Sequence, residues 1–420
     1  MATPAGQIMR LVTRRGPILG ILEQGSQSAY NFLSILVLSR LLAPDEFGVF
    51  ALVQAGILFV VGMTGAIWSS PVLVFLPEHR EKGRSYLSAV FAATAVTAGA
   101  LGVVSPIVVR LVGRDLSGLS ILGVICWSIA WAQYDVIRRA NYVRKKEART
   151  LLAGAALLAG FMYGVLALQW SGLLNTQNAI LVNAGAYLVA CLVGFEGGSE
   201  SEKRLKSTGG ITKEVVARHW AYSRWIAGGT LFYWVASQGY FVLAAPFVSD
   251  TEIGGLRAAQ NLVGVASIGI LWFENYFTPR AAERYTQGGE ASLHDYMAAV
   301  SRRVGRPFLI GLLTICPASL FAYEILYAES YGGAIGIVIL LTLYQCAIGI
   351  SRPAAVRLRV RKNTRPFLYA HLASALIAVT LGVLVVWLLG SLGAAIGIML
   401  SGAGLAFALV LSDRRARGHE

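Results

Sequence analysis

The chain of 420 residues is strongly apolar: 56% of its residues are apolar, 14% are charged, and its mean hydropathy is +0.61. Because charged residues usually make up roughly 25% of a globular chain, this composition excludes a water-soluble protein. The net charge of +14 would suggest a nucleic-acid partner in a soluble protein. Here the basic residues lie between apolar runs, where they set topology and contact lipid headgroups. We therefore predict a membrane protein with no nucleic-acid partner.

The first sharp break in the apolar sequence lies within Leu38–Gln54. Pro44 lacks a backbone donor and pushes Ala43 out of the helical region, so one helix ends there. Asp45 and Glu46 then suit the first turn of a new helix, because carboxylates are stabilised at the positive end of a helix dipole. The stretch therefore predicts a tight hairpin between two membrane spans.

The pattern of this hairpin returns about half a chain later. The repeated positions pair Glu46 with Glu252, Gly48 with Gly254, and Gln54 with Gln260. A self-similar period of this size is typical of the two halves of one transporter rather than of a small-repeat solenoid.

A helical span needs about 20 apolar residues. By that measure the chain predicts about twelve spans, at 18–42, 47–75, 86–112, 117–137, 149–170, 177–196, 221–247, 253–277, 304–325, 333–351, 367–389 and 391–411. The first and seventh are the weakest by hydropathy, but the repeat requires both. Nearly all of the 36 Lys and Arg residues lie in the connections on one side, and only Arg40, Arg110 and Arg114 on the other. The positive-inside rule then places both termini in the cytoplasm.

The predicted fold class is all-α, a polytopic membrane protein with two six-helix lobes. The lobes are expected at 1–196 and 220–420, joined by a Gly-containing cytoplasmic linker at 197–219. The four cysteines lie in apolar segments without CxxC spacing, which excludes a disulfide framework or a zinc ribbon. No P-loop, nucleophile elbow or HExxH motif occurs in the sequence. The chain is therefore not expected to be an enzyme, or to bind a metal or cofactor.

Polar residues inside the predicted spans are the candidates for function, because such residues are costly in a bilayer. Glu23 is the candidate ion-coupling residue, unless its stem bends and carries the carboxylate to the cytoplasmic interface. Arg224 is either a substrate contact or a topology anchor. The candidate substrate-binding residues are Asn31, Gln54, Arg224, Gln238, Arg257, Gln260 and Asn261.

Two further charges need partners. Arg257 lies about one turn inside the outer face, where basic residues are otherwise rare. Glu252 is off the favourable three- or four-residue helical spacing from it, so water or a ligand is expected to compensate the charge. Glu274, near the cytoplasmic end of its span, is expected to pair with Arg280 or Arg284.

Residues 40–52, RLLAPDEFGVFAL, resemble the hairpin ARLLGPEEFGLFAL of polysaccharide-biosynthesis proteins. These are the O-antigen and exopolysaccharide flippases of the multidrug/oligosaccharidyl-lipid/polysaccharide (MOP) exporter superfamily. The resemblance implies two six-helix bundles around a central, often cationic cavity that moves an undecaprenyl-diphosphate-linked glycan to the outer leaflet. The related lipid II flippases carry cavity arginines on their first two spans. This chain has Glu23 and polar amides there instead, and Arg257 is its only well-placed basic residue.

The chain is thus expected to be a flippase that moves a polyprenyl-diphosphate-linked saccharide across the bacterial cytoplasmic (inner) membrane for surface polysaccharide synthesis. Arg257 would hold the diphosphate, since a guanidinium matches its oxygens in charge and geometry. One alternative is a drug/cation antiporter of the same superfamily with Glu23 as coupling carboxylate. Another is a non-transporting scaffold of a polysaccharide assembly complex. The expected partners are the lipid-linked glycan, anionic membrane lipids, and a polysaccharide polymerase or glycosyltransferases; a monomer is expected.

Overall fold

The structure is a computed structural model that describes residues 4–79, 83–195, 213–361, 363 and 365–418. Within these ranges the chain is helical and contains no strand, which confirms the predicted all-α class. The α-helices are α1 Pro4–Leu41, α2 Pro44–Thr64, α3 Ser70–Phe75, α4 Gly83–Gly102, α5 Val104–Leu111, α6 Gly118–Val143, α7 Glu147–Trp170, α8 Thr176–Gly194, α9 Lys213–Ser237, α10 Gly239–Ala244, α11 Asp250–Val263, α12 Ala266–Val300, α13 Arg306–Tyr331, α14 Ile335–Val360, α15 Arg365–Ile377 and α16 Val383–Gly418.

Eight helical segments in these ranges are long and apolar enough to cross a membrane, or nine if the bent pair Asp250–Val263 and Ala266–Thr278 forms one span. The segment Arg365–Ala416 covers two predicted spans, and Gly390 interrupts it with a φ of 58°. Helices α1 and α9, which hold the polar first and seventh predicted spans, are not among the nine. The predicted twelve spans correspond to these nine, to α1 and α9, and to the division of Arg365–Ala416 into two spans at Gly390.

The predicted helix break at Ala43 and Pro44 is confirmed. Helix α1 ends at Leu41, and Ala43 is extended, with φ −58° and ψ 146°. Helix α2 begins at Pro44 and carries Asp45 and Glu46 in its first turn. Proline is favoured at this first helical position because its fixed φ suits a helix and its missing N–H has no partner there anyway.

The chain divides into two compact units. Unit 1 comprises Met1–Ala43 and Gly56–Ala227, and unit 2 comprises Pro44–Ala55 and Gly228–Glu420. The boundary after Ala43 lies between α1 and α2, and the boundaries after Ala55 and Ala227 fall inside α2 and α9. The lobe boundaries given above stay a prediction, and most of the proposed linker lies outside the described residues.

Unit 1 has an aromatic core where α1, α6, α7 and α8 pack together. The Tyr30 ring lies edge-on to the rings of Phe161 and Tyr187, at centroid distances of 5.6 and 5.4 Å. The Tyr30 hydroxyl donates to Asn183 Oδ1 at 2.6 Å, so a polar group in this core is satisfied internally. Tyr30 of α1 therefore lies within a well-packed helix cluster.

In unit 2, the first half of α2 crosses the start of α11 through glycines at equivalent positions of the repeat. A Cβ atom at Gly48 would overlap the backbone of Asp250, and one at Gly254 would lie 3.1 Å from the Pro44 carbonyl oxygen. Pro44 and Asp250 each begin their helix. Only glycine allows this approach, and the crossing sets the two helix starts side by side.

Candidate functional site

The candidate site in unit 2 is built on helix α11. The helix begins with a capping box, in which the Ser249 hydroxyl accepts from the Glu252 backbone N–H and the Glu252 carboxylate accepts from the Ser249 N–H. The other carboxylate oxygen of Glu252 accepts from the Ser391 hydroxyl at 3.1 Å. Glu252, the acidic residue nearest in sequence to Arg257, is thus hydrogen-bonded to Ser249 and Ser391 at the start of the helix. Arg257 lies further along the same helix.

The Arg257 side chain is almost fully buried and is held by three glutamines. Its Nε and Nη2 donate to Gln54 Oε1 at 3.2 and 2.9 Å. Its Nη1 donates to Gln238 Oε1 at 3.0 Å and to Gln260 Oε1 at 2.6 Å. The guanidinium carbon also lies 5.4 Å from the centroid of the Phe241 ring. We call Arg257, Gln54, Gln238 and Gln260 the arginine cradle.

Three helices bring the cradle together. Gln54 lies in α2, Gln260 one turn after Arg257 in α11, and Gln238 directly after α9. The Trp234 indole N–H donates to the Ala55 carbonyl at 2.8 Å, which fixes the end of α9 beside α2. Four of the seven substrate-binding candidates from the sequence therefore meet around one guanidinium.

The cradle solvates the charge of Arg257 without neutralising it. All three acceptors are neutral amides, and among the described residues Arg257 forms no salt bridge. A guanidinium has five N–H donors, and these contacts occupy four of them, which leaves one on Nη2. An isolated charge of this kind is costly away from water, so the site favours an anion.

The remaining substrate-binding candidates lie elsewhere. Asn261 follows Gln260 in α11 and is half-buried. Arg224 belongs to unit 1 and is exposed, with its guanidinium carbon 5.5 Å from the centroid of the Trp225 ring. Asn31, also in unit 1, is exposed, and its backbone carbonyl accepts from the Ser34 hydroxyl at 3.2 Å.

Glu23, the candidate coupling residue, is fully buried in unit 1 and is ion-paired. Arg138 Nε lies 2.8 Å from Glu23 Oε1, and the Tyr142 hydroxyl donates to Glu23 Oε2. Arg138 also lies 3.9 Å from Asp135, which in turn accepts from Arg139 Nε at 3.0 Å. Two carboxylates and two guanidiniums thus balance, and the Glu23 carboxylate is buried among them rather than exposed.

The sequence does not predict this ion pair, because Arg138 lies just beyond the predicted span 117–137, in a basic connection. The usable signal was the spacing of Asp135, Arg138 and Arg139, which places a carboxylate and two guanidiniums on one face of a helix. That face carries one surplus positive charge, which Glu23 of α1 balances, and α6 continues past these residues to Val143.

The expected partner of Glu274 was wrong. Its carboxylate accepts from Arg352 and, at 2.5 Å, from Arg359, both on α14, rather than from Arg280 or Arg284. The end of α14 is rich in arginine: Arg357 on this helix and Arg361 directly after it both pair with the buried Asp413. Sequence-local pairing was outcompeted by a neighbouring helix rich in arginine.

No protein-family model and no curated protein matches the chain. Solved structures do match it over nearly its whole length. An inward-facing multidrug resistance MATE family transporter of the MOP superfamily is 14% identical, with 94% of this chain and 98% of that chain covered and a TM-score of 0.69. The lipid II flippase MurJ in an inward closed conformation is 14% identical, with 94% and 87% covered and a TM-score of 0.67.

An outward-facing MATE family transporter of the MOP superfamily matches as well, at 13% identity, with 96% of this chain and 95% of that chain covered and a TM-score of 0.63. At this identity the similarity establishes the fold. The chain has the polytopic membrane fold of MOP superfamily transporters, as the resemblance of its hairpin implied.

Proposed function

We propose that the chain is a flippase that moves a polyprenyl-diphosphate-linked saccharide across the bacterial cytoplasmic membrane for surface polysaccharide synthesis. The observation that carries the proposal is the arginine cradle. A nearly buried guanidinium is held by amides alone, so it keeps its full positive charge for a ligand. A polyprenyl diphosphate presents several anionic oxygens, and charge-assisted bonds to such groups are about twice as strong as neutral ones.

The geometry of the cradle supports an anionic ligand over a structural role. Gln54 and Gln260 hold the guanidinium plane in one orientation, so little side-chain entropy is lost when an anion binds. The N–H that remains on Nη2 offers a first contact. A diphosphate could then exchange with one of the amide acceptors on Nη1, since each glutamine keeps other hydrogen-bonding options.

The competing cation antiporter would use Glu23 as its coupling carboxylate. Its Oε1 already faces Arg138 Nε at 2.8 Å, so a cation would have to displace a tethered guanidinium. Such an exchange leaves an uncompensated buried charge, which is strongly unfavourable. The described ionic groups therefore favour an anionic substrate over a cationic one.

The fold supports transport by alternating access. Two MOP-type halves would expose the cradle to one side of the membrane and then to the other, while the polyprenyl chain stays in lipid. We further propose both termini in the cytoplasm, operation as a monomer, and supply of the substrate by glycosyltransferases, with a polymerase downstream. A non-transporting scaffold would not need a buried charge without a counter-ion, which disfavours that alternative.

Complementation of polysaccharide export in a strain lacking the gene tests the proposal. Arg257→Ala should abolish export at normal membrane abundance, whereas Arg257→Lys should retain part of it because the charge remains. Arg110→Ala is the matched control, since it removes an exposed arginine in the last turn of α5, outside the cradle, and it should export normally. Full export by Arg257→Ala would refute the proposal.

A further inference from the structure

Two further arginines lie on helix α12, outside the arginine cradle. Ile268, Trp272, Tyr276, Arg280 and Arg284 follow one another at four-residue spacing, so they form one row along the helix. All five are exposed, Ile268 by 54%, Trp272 by 49% and Tyr276 by 41%. We call this row the α12 stripe. Its composition changes along the helix from aliphatic through aromatic to cationic.

This order matches the depth profile of one leaflet of a bilayer. Ile268 and Arg284 are separated by about 24 Å at a helical rise of 1.5 Å per residue, whereas half the hydrocarbon core is about 15 Å thick. An aliphatic residue near the middle of the bilayer thus places the arginines at headgroup level. Trp and Tyr favour the interface between these two regions.

The cationic end of the stripe is held in place. The Arg280 guanidinium carbon lies 3.6 Å from the centroid of the Tyr276 ring, and its Nη1 donates to the Tyr276 carbonyl at 2.7 Å. The Trp272 and Tyr276 rings stack at a centroid distance of 5.6 Å. Arg280 is therefore positioned against the aromatic rings rather than free to move through solvent.

The two arginines have no acidic partner among the described residues. Glu274 is taken by α14, and Glu290 pairs with Arg361. Glu283 accepts from the Gln287 side chain at 3.3 Å instead. Two like charges one turn apart destabilise a helix unless something compensates them.

One more polar group lies near this end. Helix α12 breaks at Gly288 and Gly289, which have non-helical φ/ψ values. The chain beyond the break packs back through Leu293 and Met297 onto the core around Phe277. Tyr296, on the returning segment, packs against this same core.

We propose that the α12 stripe is a binding site for an anionic glycerophospholipid. Arg280 and Arg284 bind the phosphate, Tyr276 and Trp272 lie at the glycerol level, and an acyl chain follows the helix past Ile268. The occupant is an anionic lipid because the site pairs two uncompensated cations with an apolar track. A soluble phosphate would use only the cationic end, and a zwitterionic lipid would bring its own positive charge against the arginines.

Native mass spectrometry of the purified full chain, released from nanodiscs of equal parts phosphatidylglycerol and phosphatidylcholine, tests this site. Wild type should retain phosphatidylglycerol preferentially. The double variant Arg280→Gln/Arg284→Gln should lose that preference, with phosphatidylglycerol affinity falling roughly 5-fold per arginine and about 30-fold for both. Arg280→Lys/Arg284→Lys keeps both charges and should retain most of it.

The matched control is Arg110→Gln/Arg114→Gln, which removes the exposed Arg110 at the end of α5 and the half-buried Arg114 just after it. It should bind phosphatidylglycerol like wild type. Melting in phosphatidylcholine nanodiscs should be unchanged in every variant, because Arg280 and Arg284 are exposed. Phosphatidylglycerol retention that is equal in the α12 and control variants would overturn the proposal. So would loss of affinity for undecaprenyl diphosphate alone, which would assign the stripe to a transported lipid. Arg257→Ala should leave phosphatidylglycerol retention intact, so this test is independent of the arginine cradle.

Discussion

Gln54 and Gln260 occupy equivalent positions of the internal repeat, and the side-chain oxygens of both accept hydrogen bonds from the guanidinium of Arg257. The repeat places an arginine in only one of its halves, because the position equivalent to Arg257 holds the buried Ala51. Both halves of the repeat thus contribute a glutamine to the site, Gln54 and Gln260, but only the second half contributes an arginine. That combination gives a cationic site a defined orientation without a counter-ion.

The two glutamines should contribute unequally to stability. Gln54→Leu removes the acceptor of two bonds from a buried guanidinium, so the free energy of unfolding should fall by about 1.5–3 kcal/mol, as for other hydrogen bonds to charged groups. Gln260→Leu removes one bond and should have a smaller effect. SDS titration of the purified variants measures both values. In an Arg257→Leu background the Gln54→Leu change should be nearly neutral, and an undiminished loss there would contradict the contact.

Arg138 should be a stability residue. Arg138→Ala leaves Glu23 buried without its partner, and breaking such a pair typically lowers the free energy of unfolding by about 3–5 kcal/mol. The double variant Glu23→Gln/Arg138→Gln removes both charges and should recover most of that stability. Thermal unfolding in detergent compares the three proteins. If Arg138→Ala melts like wild type, Glu23 is not held by this ion pair, and the ion-coupling prediction for Glu23 regains support.

Gly48 should not tolerate even a methyl group. A Cβ there overlaps the Asp250 backbone, which cannot move as a flexible side chain can. Gly48→Ala should therefore lower the free energy of unfolding by about 1–3 kcal/mol, as overpacking does elsewhere. Gly311→Ala is the matched control, because a Cβ at Gly311 in α13 meets nothing within 4 Å. Equal melting temperatures for the two variants would show that the crossing of α2 and α11 is looser than described.

The sequence predicted the elements that depend on local chemistry. Pro44 marks the helix break, the repeat identifies Glu252 as the start of a matching helix, and intramembrane cost singles out Arg257. Partners were harder to predict, because they lie on other helices. Glu274 pairs with Arg352, and Glu23 pairs with Arg138. Both pairings depend on how the helices pack, which cannot be read residue by residue from a single sequence. Gln54, Gln238 and Gln260 were found as candidates, but not as ligands of one guanidinium.

The predicted topology can be tested by cysteine labelling in a variant without native cysteines. Asp45→Cys, in the exposed first turn of α2, should react with an impermeant maleimide added to whole cells. His294→Cys, exposed beyond the break in α12, and Leu205→Cys, in the predicted linker, should react only after the membrane is opened. The physical reason is the concentration of Lys and Arg on the side of the last two positions. Rapid labelling of Leu205→Cys in intact cells would reverse the orientation.

Direct binding of undecaprenyl diphosphate to purified Arg257→Ala tests the central claim most directly. The account predicts a loss of affinity of about 10- to 100-fold relative to wild type, since hydrogen bonds to charged groups contribute about 1.5–3 kcal/mol. The variant should still fold, with a modest loss of stability, because it loses the hydrogen bonds to three neutral glutamines. Wild-type affinity in folded Arg257→Ala would contradict the account, and so would a stable Arg257→Lys variant that binds no better than Arg257→Ala.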